Sequence, residues 1–418
     1  MKLTRREVGL GLASFAATRC IAGYLPNPSP REFPLGVASA DPQPGGAVLW
    51  TRYDGDEALV ALVWPEAAEG APIEVPAAGR FALAEVTGLQ PSTWYRFMFR
   101  AGSARSTEGR FRTAPAPGTR PLVRLGATSC TKDGFPFDVL SRAGERGDLD
   151  AFLILGDTVY ADGAQNLEEY RAKWAHTFST GEYQALRAST ALIGTWDDHE
   201  VDNGWGGDNV TAEQLAAARQ AFFEHMPGRT PNGAQVVWRS VRFGDTAEVF
   251  VLDSRSERDQ AAGDYLSPAQ MAWLKGALQQ STATFKLVMS SVPIASYDVP
   301  FFSPFADDRW EGFPRSRDEI LGHIDELGIG GVLWLAGDFH LACAGRVSLE
   351  GPGSSARELL VGPGAQLANI SPSFPSGPQF DWASGVNNYA ELELDPERGT
   401  VRARWLDGRG KVIKELDV

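Results

Sequence analysis

Sulfur and imidazole side chains are scarce in this sequence. Its 418 residues include three cysteines, five methionines and five histidines. Cys20 lies close to the N-terminus, which leaves Cys130 and Cys343 in the body of the chain. Two cysteines are too few for the disulfide framework that stabilises small secreted domains. Either they pair with one another, or each has a separate role.

Positive charge and long apolar runs are also lacking. The chain carries 39 Lys and Arg residues against 53 Asp and Glu residues, and its formal net charge is −14. Because nucleic-acid binding needs dense cationic side chains, this balance excludes non-specific DNA or RNA binding, so we expect a nucleic acid at most as a substrate. Beyond the N-terminus, no apolar run reaches the roughly 20 residues that span a bilayer. The mature protein is therefore expected to have no transmembrane span.

The N-terminus has the pattern of an export signal. Arg5 and Arg6 precede an apolar stretch at 8–17, and the small residues Ala22 and Gly23 follow. This order is typical of a signal peptide, and the paired arginines indicate the twin-arginine export machinery. The alternative is a frayed N-terminal helix. We expect residues 1–24 to be a twin-arginine signal peptide and the mature protein to be periplasmic or secreted.

Residues 35–113 show no helical periodicity. Short β-type runs, separated by turn residues, occur at 47–52, 58–64, 80–86, 94–101 and 106–113. This spacing is typical of a small β-sandwich. The segment 86–95 resembles the corner of fibronectin type III-like domains at which a tyrosine, here Tyr95, fixes the turn. We predict an all-β, immunoglobulin- or fibronectin III-like domain over residues 25–118.

The pattern changes after residue 118. Apolar runs rich in Val, Leu and Ile alternate with helical stretches, which indicates a layered α/β domain over residues 119–418. Capping residues Thr211 and Ser267 mark two helix starts, and a third amphipathic helix covers 317–327. Strands are predicted at 122–127, 151–155, 191–196, 247–252, 285–290 and 331–336, with a C-terminal hairpin at 389–394 and 401–406.

Five predicted strands end in side chains that can bind a metal ion or an anion. The runs that follow them are Ser-Cys at 129–130, Gly-Asp-Thr-Val-Tyr at 156–160, Asp-Asp-His-Glu at 197–200, Asp-Ser-Arg at 253–255 and Gly-Asp-Phe-His at 337–340. Taken singly, an Asp after a strand is usually a turn or a cap, and a Cys beside a strand usually belongs to the core. Ligands of layered α/β proteins bind where the carboxyl ends of strands converge, so the five ends together indicate one polar site.

The residue types indicate a pair of metal ions. Two cations a few ångströms apart clamp the attacking and leaving oxygens of a displacement at phosphorus. Asp157 is the candidate bridging ligand because Gly156 permits close approach, while Tyr160 and Cys130 would add a phenolate and a thiolate. A tyrosine and thiolate set suits iron better than magnesium, whereas the many carboxylates suit calcium or manganese.

These runs resemble the calcineurin-like metallophosphoesterases, whose blocks include Gly-Asp-x-x-Tyr, Asn/Asp-His-Asp/Glu and Gly-x-x-His. The whole chain more closely resembles the alkaline phosphatase D (PhoD-like) family, since the leader, the N-terminal β domain and the motifs occur in the same order over nearly all of its length. The run Asp-Arg-Trp-Glu-Gly-Phe-Pro at 308–314 also matches a family segment near the site. The resemblance implies a four-layer αββα sandwich for the catalytic domain.

The resemblance also implies roles for individual residues. The ligands of a ferric ion would be Cys130, Asp157, Tyr160 and His340. Those of a second ion, usually calcium, would be Asp157, Asp198 and Asp338. Manganese and zinc are the alternative metals. His199 falls on the position that assists the leaving group, and Asn203 and Arg255 are candidate phosphate contacts. Gly204 stands where close relatives often have a second Asn, so polar contacts there are expected to differ.

The expected activity is that of an exported phosphoric ester hydrolase, an alkaline phosphatase or phosphodiesterase that uses a metal-bound hydroxide. One alternative is a phosphodiesterase specialised for phospholipids or cell-wall polymers, similar to phospholipase D. A more distant alternative is a non-catalytic calcium-binding protein with a carbohydrate-binding or adhesion role. Iron together with calcium in the purified protein would favour the hydrolase. The aromatic segment 299–313 is expected to form a loop near the site.

Overall fold

The computed structural model of the chain describes residues 28–67, 71–206, 209–229, 235–297, 308–368 and 377–418. The predicted signal peptide, which includes Cys20, lies outside these residues, as does the part of the aromatic segment at 299–307. Within the described ranges, no helix is both long enough and apolar enough to cross a membrane.

The N-terminal region is all-β, as predicted. Its strands are β1 (Val37–Gln43), β2 (Gly46–Arg52), β3 (Leu59–Pro65), β4 (Ile73–Ala77), β5 (Phe81–Val86), β6 (Trp94–Ala101), β7 (Ala104–Arg105) and β8 (Gly109–Arg112). The sequence pattern does not reveal β1 or β4, and the predicted strand at 106–113 is shorter in the structure. Five of the strands, β3, β4, β6, β7 and β8, form one sheet. Phe97, Phe99 and Phe111 lie in the core that this sheet covers.

The predicted tyrosine corner has the hydrogen bond that it requires. The hydroxyl of the buried Tyr95 accepts a hydrogen bond from the backbone N–H of Gln90 at 2.9 Å. This contact fixes the turn before β6. The assignment of the region to the immunoglobulin or fibronectin III class stays a prediction.

The rest of the chain alternates strands and helices. The strands are β9 (Val123–Thr128), β10 (Ala151–Leu155), β11 (Ala191–Thr195), β12 (Arg239–Phe243), β13 (Ala247–Val251), β14 (Phe285–Met289), β15 (Val332–Ala336), β16 (Ala342–Arg346), β17 (Arg357–Leu360), β18 (Phe380–Ser384), β19 (Asn388–Asp395), β20 (Thr400–Asp407) and β21 (Val412–Asp417). The helices are α1 (Asp138–Gly144), α2 (Leu167–Phe178), α3 (Gly181–Ser189), α4 (Ala212–His225), α5 (Pro268–Gln280) and α6 (Pro314–Glu326).

Two large sheets and two sets of helices form four layers. One sheet has nine strands in the order β21-β20-β19-β9-β10-β11-β1-β2-β5, and the other has seven in the order β12-β13-β14-β15-β17-β16-β18. Successive side chains of a strand point to opposite faces. Leu287 and Met289 of β14 therefore join Leu153 of β10 in the core between the sheets, while Val288 packs towards the α5 and α6 side with Leu274. Helices α1–α4 cover the outer face of the nine-stranded sheet.

The N-terminal strands are divided between two sheets. β1, β2 and β5 continue the nine-stranded sheet, because β1 pairs in parallel with β11, with Ser39 opposite Ala191. The N-terminal region and the α/β region therefore share one hydrogen-bonded sheet. The predicted domain boundary at 118 stays a prediction.

The predicted helix starts are present. The Thr211 side chain accepts a hydrogen bond from the N–H of Gln214, and Ser267 accepts one from the N–H of Gln270. Both contacts satisfy a backbone donor that has no partner within the helix. Helix α6 begins at Pro314, earlier than predicted, since proline fits the first turn of a helix.

Parallel strands bring the polar runs together. β9, β10 and β11 run parallel to one another, as do β13, β14 and β15, so their carboxyl ends meet at one edge of the double sheet. Gly156 follows β10 with φ of 90°, and a Cβ placed there would lie 2.6 Å from the Cβ of Asp197. Only glycine allows these two strand ends to approach so closely.

Candidate metal centre

The predicted metal ligands lie together at this edge. Three groups have donor atoms within 4.8 Å of one another: Cys130, Asp157 and His340; Asp157, Asp198 and His199; and Asp197, Asp198 and Asp338. Asp157 belongs to two of the groups and Asp198 also to two. The groups are therefore linked into one centre, with Asp157 where a bridging ligand is expected.

Four of these candidate ligands have a backbone conformation that residues other than glycine rarely adopt. The φ angles are 55° at Cys130, 54° at Asp157, 63° at Asp338 and 51° at His340. Non-glycine residues with positive φ cost free energy and persist where the surrounding structure enforces them. Their concentration at the ends of three different strands indicates that the turns are shaped to aim these side chains.

Tyr160 connects Asp157 with His340. Its hydroxyl lies 3.2 Å from Oδ2 of Asp157 and 3.3 Å from Nε2 of His340. Cys130 is fully buried, and its Sγ lies 3.3 Å from Oγ of Ser129. Cys130 and Cys343 are both free thiols, so of the two alternatives for these cysteines the structure supports separate roles. Cys343 lies in the core beside Tyr297 and Leu360.

His199 is held by a carboxylate that the sequence patterns do not reveal. Its Nδ1 lies 2.7 Å and 2.9 Å from the two carboxylate oxygens of Asp162, and its ring packs against that of Tyr160 with 4.0 Å between the centroids. Burial alone would lower the pKa of His199, but Asp162 and Asp198 raise it above its usual value. The imidazole therefore retains its proton more readily than an isolated histidine.

Arg255 is fully buried among carboxylates. Its Nε donates to Oδ1 of Asp197 at 2.5 Å, and its Nη1 donates to the carboxylate of Asp308. Its Nη2 lies 3.8 Å from Oδ1 of Asp198 and 3.9 Å from Oδ1 of Asp338. The single guanidinium thus balances part of the charge of four acidic side chains.

The acidic side chains perturb one another strongly. Burial, followed by the charges of neighbouring carboxylates, raises the pKa of Asp157 and of Asp338 well above the usual range. Burial would also raise the pKa of Asp198, but Arg255 and His199 lower it below its ordinary value. Bringing so many negative charges together in a buried site costs free energy unless cations bind among them.

Two buried oxygens identify where cations fit. Oδ1 of Asp157 and Oδ2 of Asp197 are inaccessible and have no hydrogen-bond partner among the described residues. An unpaired buried carboxylate oxygen costs several kcal/mol, on the order of the penalty for burying an unpaired charge. A metal ion removes that penalty, and the surrounding thiol, phenol, imidazole and carboxylate groups are all metal donors.

Glu200 is a structural residue of the site that the sequence patterns do not single out. Its carboxylate accepts hydrogen bonds from the backbone N–H groups of Asp157, Thr158 and Asp197. Burial raises its pKa to about 7. The acidic run at 197–200 was its only signal, because two of its three partners, Asp157 and Thr158, come from the end of a different strand.

Asp308 and Asn203 complete the surroundings. Asp308 belongs to the run at 308–314 that resembles a family segment, and its contact with Arg255 places that run at the site. Asn203 is exposed and directly precedes Gly204, whose N–H donates to Oδ2 of Asp198 at 2.6 Å. Asn203 therefore lies at the margin of the centre.

Comparison with protein families gives two matches. A family model described as PhoD-like phosphatase matches residues 125–369, and a model of the PhoD-like phosphatase N-terminal domain matches residues 19–115. Alkaline phosphatase D of Bacillus subtilis (strain 168) is 28% identical over 391 residues, covering 78% of this chain and 67% of that protein.

Solved structures share the fold. A structure of PhoD has a TM-score of 0.80 at 24% sequence identity, covering 94% of this chain and 90% of that chain. The structure of purple acid phosphatase PPD1 from yellow lupin (Lupinus luteus) has a TM-score of 0.68 at 14% identity, covering 91% of this chain and 73% of that one. The layered architecture is thus that of known metallophosphatases.

Proposed function

Since the chain belongs to the PhoD-like phosphatase family and is a phosphoric ester hydrolase, we propose that it cleaves phosphate monoesters and diesters at the metal centre described above. We also propose export through the twin-arginine machinery to the periplasm or the medium, on the pattern around Arg5 and Arg6. Family membership gives no support to the alternative of a non-catalytic calcium-binding adhesion protein.

The observation that carries the metal dependence is the unpaired buried oxygen Oδ1 of Asp157, the residue common to both proposed ligand sets. The proposed ligands of a ferric ion are Cys130, Asp157, Tyr160 and His340, and those of a calcium ion are Asp157, Asp198 and Asp338. Manganese and zinc are the alternatives. When bound, such ions would supply Lewis acidity at the phosphate and lower the pKa of water.

His199 is proposed to protonate the leaving group. Because Nδ1 faces the carboxylate of Asp162, that nitrogen carries a proton and the tautomer is fixed. The other nitrogen, Nε2, is then able to give a proton to the departing alkoxide, and the raised pKa of His199 favours the protonated ring that this step requires.

Arg255 and Asn203 take different roles in this proposal. The Arg255 guanidinium is fully buried and bonded to Asp197 and Asp308. Because of this geometry, we assign it the role of positioning these carboxylates, in place of the phosphate contact that the resemblance implies. Asn203 is exposed at the margin of the centre, where a neutral amide could donate to an oxygen of the phosphate.

The substitution Asp157→Asn tests the centre. It keeps the shape of the side chain but removes the charge that would link two ions, so hydrolysis of an aryl phosphate should fall on the order of 1000-fold. Asp318→Asn on the exposed face of α6 is the matched control and should keep full activity. Circular dichroism checks that both variants fold. An active Asp157→Asn enzyme would contradict the assignment.

Metal analysis and a substrate pair separate the remaining alternatives. Iron together with calcium in the purified protein would support the proposed ligand sets, while manganese or zinc alone would favour the alternatives. A much higher rate on a phospholipid or a polymeric phosphodiester than on an aryl monoester would favour the specialised phosphodiesterase.

A further inference from the structure

A pocket opens beside the metal centre. Its volume is about 590 Å³, which lies in the range of small-molecule sites, and Tyr160 forms part of its wall. The hydroxyl of Tyr160 belongs to the centre, 3.2 Å from Asp157, whereas the ring lines the pocket. The same aromatic side chain therefore borders both spaces.

The acidic side chains of the pocket are already engaged within the protein. Asp162 holds His199 through both carboxylate oxygens. Asp133 accepts a hydrogen bond from the hydroxyl of Thr177 at 2.8 Å. Glu169 accepts hydrogen bonds from the backbone of Gln165 and the side chain of Asn166 at the start of α2. These carboxylates have limited capacity to bind a ligand.

Two lysines of the pocket are not paired with acids. The Nζ of Lys132 lies 5.2 Å from the centroid of the Tyr160 ring, and the Nζ of Lys173 reaches only a backbone carbonyl oxygen, that of Asp162, at 3.5 Å. Within the described ranges, neither ammonium group forms an ion pair with a carboxylate. The two ammonium groups are therefore available to bind an anion at the pocket, although the chain as a whole has a net charge of −14.

We propose that this pocket binds the leaving-group side of the substrate and that Lys132 and Lys173 recognise a second anionic group there, such as a second phosphate. The inference rests on the proposed function, in which His199 meets the departing alkoxide. Since the Tyr160 ring lines the pocket and packs against the His199 ring with 4.0 Å between the centroids, the alcohol that His199 protonates would extend into this space. The preferred substrates are then phosphate esters whose alcohol carries another phosphate.

A pair of matched substrates tests the proposal. Propane-1,3-diol bisphosphate carries the second phosphate, and propyl phosphate has the same three carbons without it. The enzyme should show a kcat/KM about tenfold higher for the bisphosphate, because charge-assisted hydrogen bonds to two ammonium groups favour it. The preference should shrink as ionic strength rises.

Variants assign the preference to the two lysines. In the Lys132→Met, Lys173→Met double variant the ratio of the two kcat/KM values should fall to about one, whereas the control Lys411→Met in the C-terminal hairpin should keep it. Calorimetry with propane-1,3-bisphosphonate against propylphosphonate measures the same preference without turnover. Equal values for both ligands in the unaltered protein, or a preference that survives in the double variant, would overturn the pocket assignment. A binding preference with no turnover of either ester would support the pocket and contradict the proposed function.

Discussion

At the scale of single residues, buried side chains hold the strand ends of the site together. Glu200 binds the N–H groups of Asp157, Thr158 and Asp197, and so joins two strand ends. Arg255 balances Asp197 and Asp308 in the same region. Both side chains are buried beside the candidate metal ligands. Because each belongs to the same polar runs as those ligands, sequence pattern could not separate its role from that of a ligand.

His225 gives a prediction about acid stability. The ring is fully buried, stacked on Trp174 at 5.6 Å, and burial together with nearby arginines lowers its pKa to about 3. An unfolded histidine titrates near 6.5. Below that pH the unfolded chain binds a proton at this histidine, whereas the folded protein does not. The free energy of unfolding is therefore unaffected by His225 above pH 6.5 and falls as the pH drops towards 3. At pH 4.5 the loss is about 3 kcal/mol.

The His225→Phe variant removes this titration while keeping a ring in the core. Its free energy of unfolding, measured in urea, should rise relative to the unaltered protein as the pH falls from 7 to 4.5. The same substitution at the exposed His176 on α2 is the control and should show no such trend. A constant difference between His225→Phe and the unaltered protein across this pH range would contradict the prediction.

At the scale of elements, apolar runs predicted the positions of many strands but did not predict how the strands pair. The strands β10 and β6 have the predicted bounds. Short strands such as β17 and β18, each of four or five residues, lack a pattern that distinguishes them from loops. Their place beside β16 depends on contacts across the sheet.

The turn after β10 gives a prediction about Gly156. An alanine there would have φ of 90° and a Cβ 2.6 Å from that of Asp197, so the ends of β10 and β11 would be pushed apart. We expect Gly156→Ala to destabilise the protein by about 2–4 kcal/mol. Displacement of Asp157 should also lower kcat/KM about 100-fold.

Gly399 supplies the matched control for this change. It has φ of 67° and nothing within 4 Å of the added Cβ, so Gly399→Ala should cost only about 1 kcal/mol, from the backbone conformation, and should leave activity intact. Thermal unfolding and aryl phosphate hydrolysis measure both effects. Equal losses in the two variants would show that close approach at Gly156 is unimportant.

At the scale of the whole molecule, the N-terminal strands are part of the catalytic architecture. β1 pairs with β11, and the buried Arg187 of α3 lies 4.3 Å from the ring of Trp50 in β2 while donating to the carbonyl oxygen of Leu35. Removal of the N-terminal region would expose the edge of β11 and deprive this guanidinium of Trp50 and of the Leu35 carbonyl oxygen. Exposed strand edges promote aggregation.

We therefore predict that a chain lacking residues 1–118 does not fold into an active enzyme. The chain from residue 25 onwards should unfold in a single calorimetric transition, because one sheet crosses the predicted domain boundary. Solubility and near-ultraviolet circular dichroism report on the truncated chain. Two separate transitions in the longer chain, or a soluble and active truncated one, would contradict this prediction.

The sequence by itself determined the composition of the site and the order of its parts. Cys130, Asp157, Asp198 and Asp338 each follow an apolar run, and parallel strands place such runs at one edge, so local pattern was sufficient to group them. Only the tertiary structure decided that Asp162 holds His199, that Arg255 is enclosed by carboxylates and that the N-terminal strands continue the catalytic sheet. These features join residues distant in the chain, and their energies come from burial and approach in space, which no local pattern records.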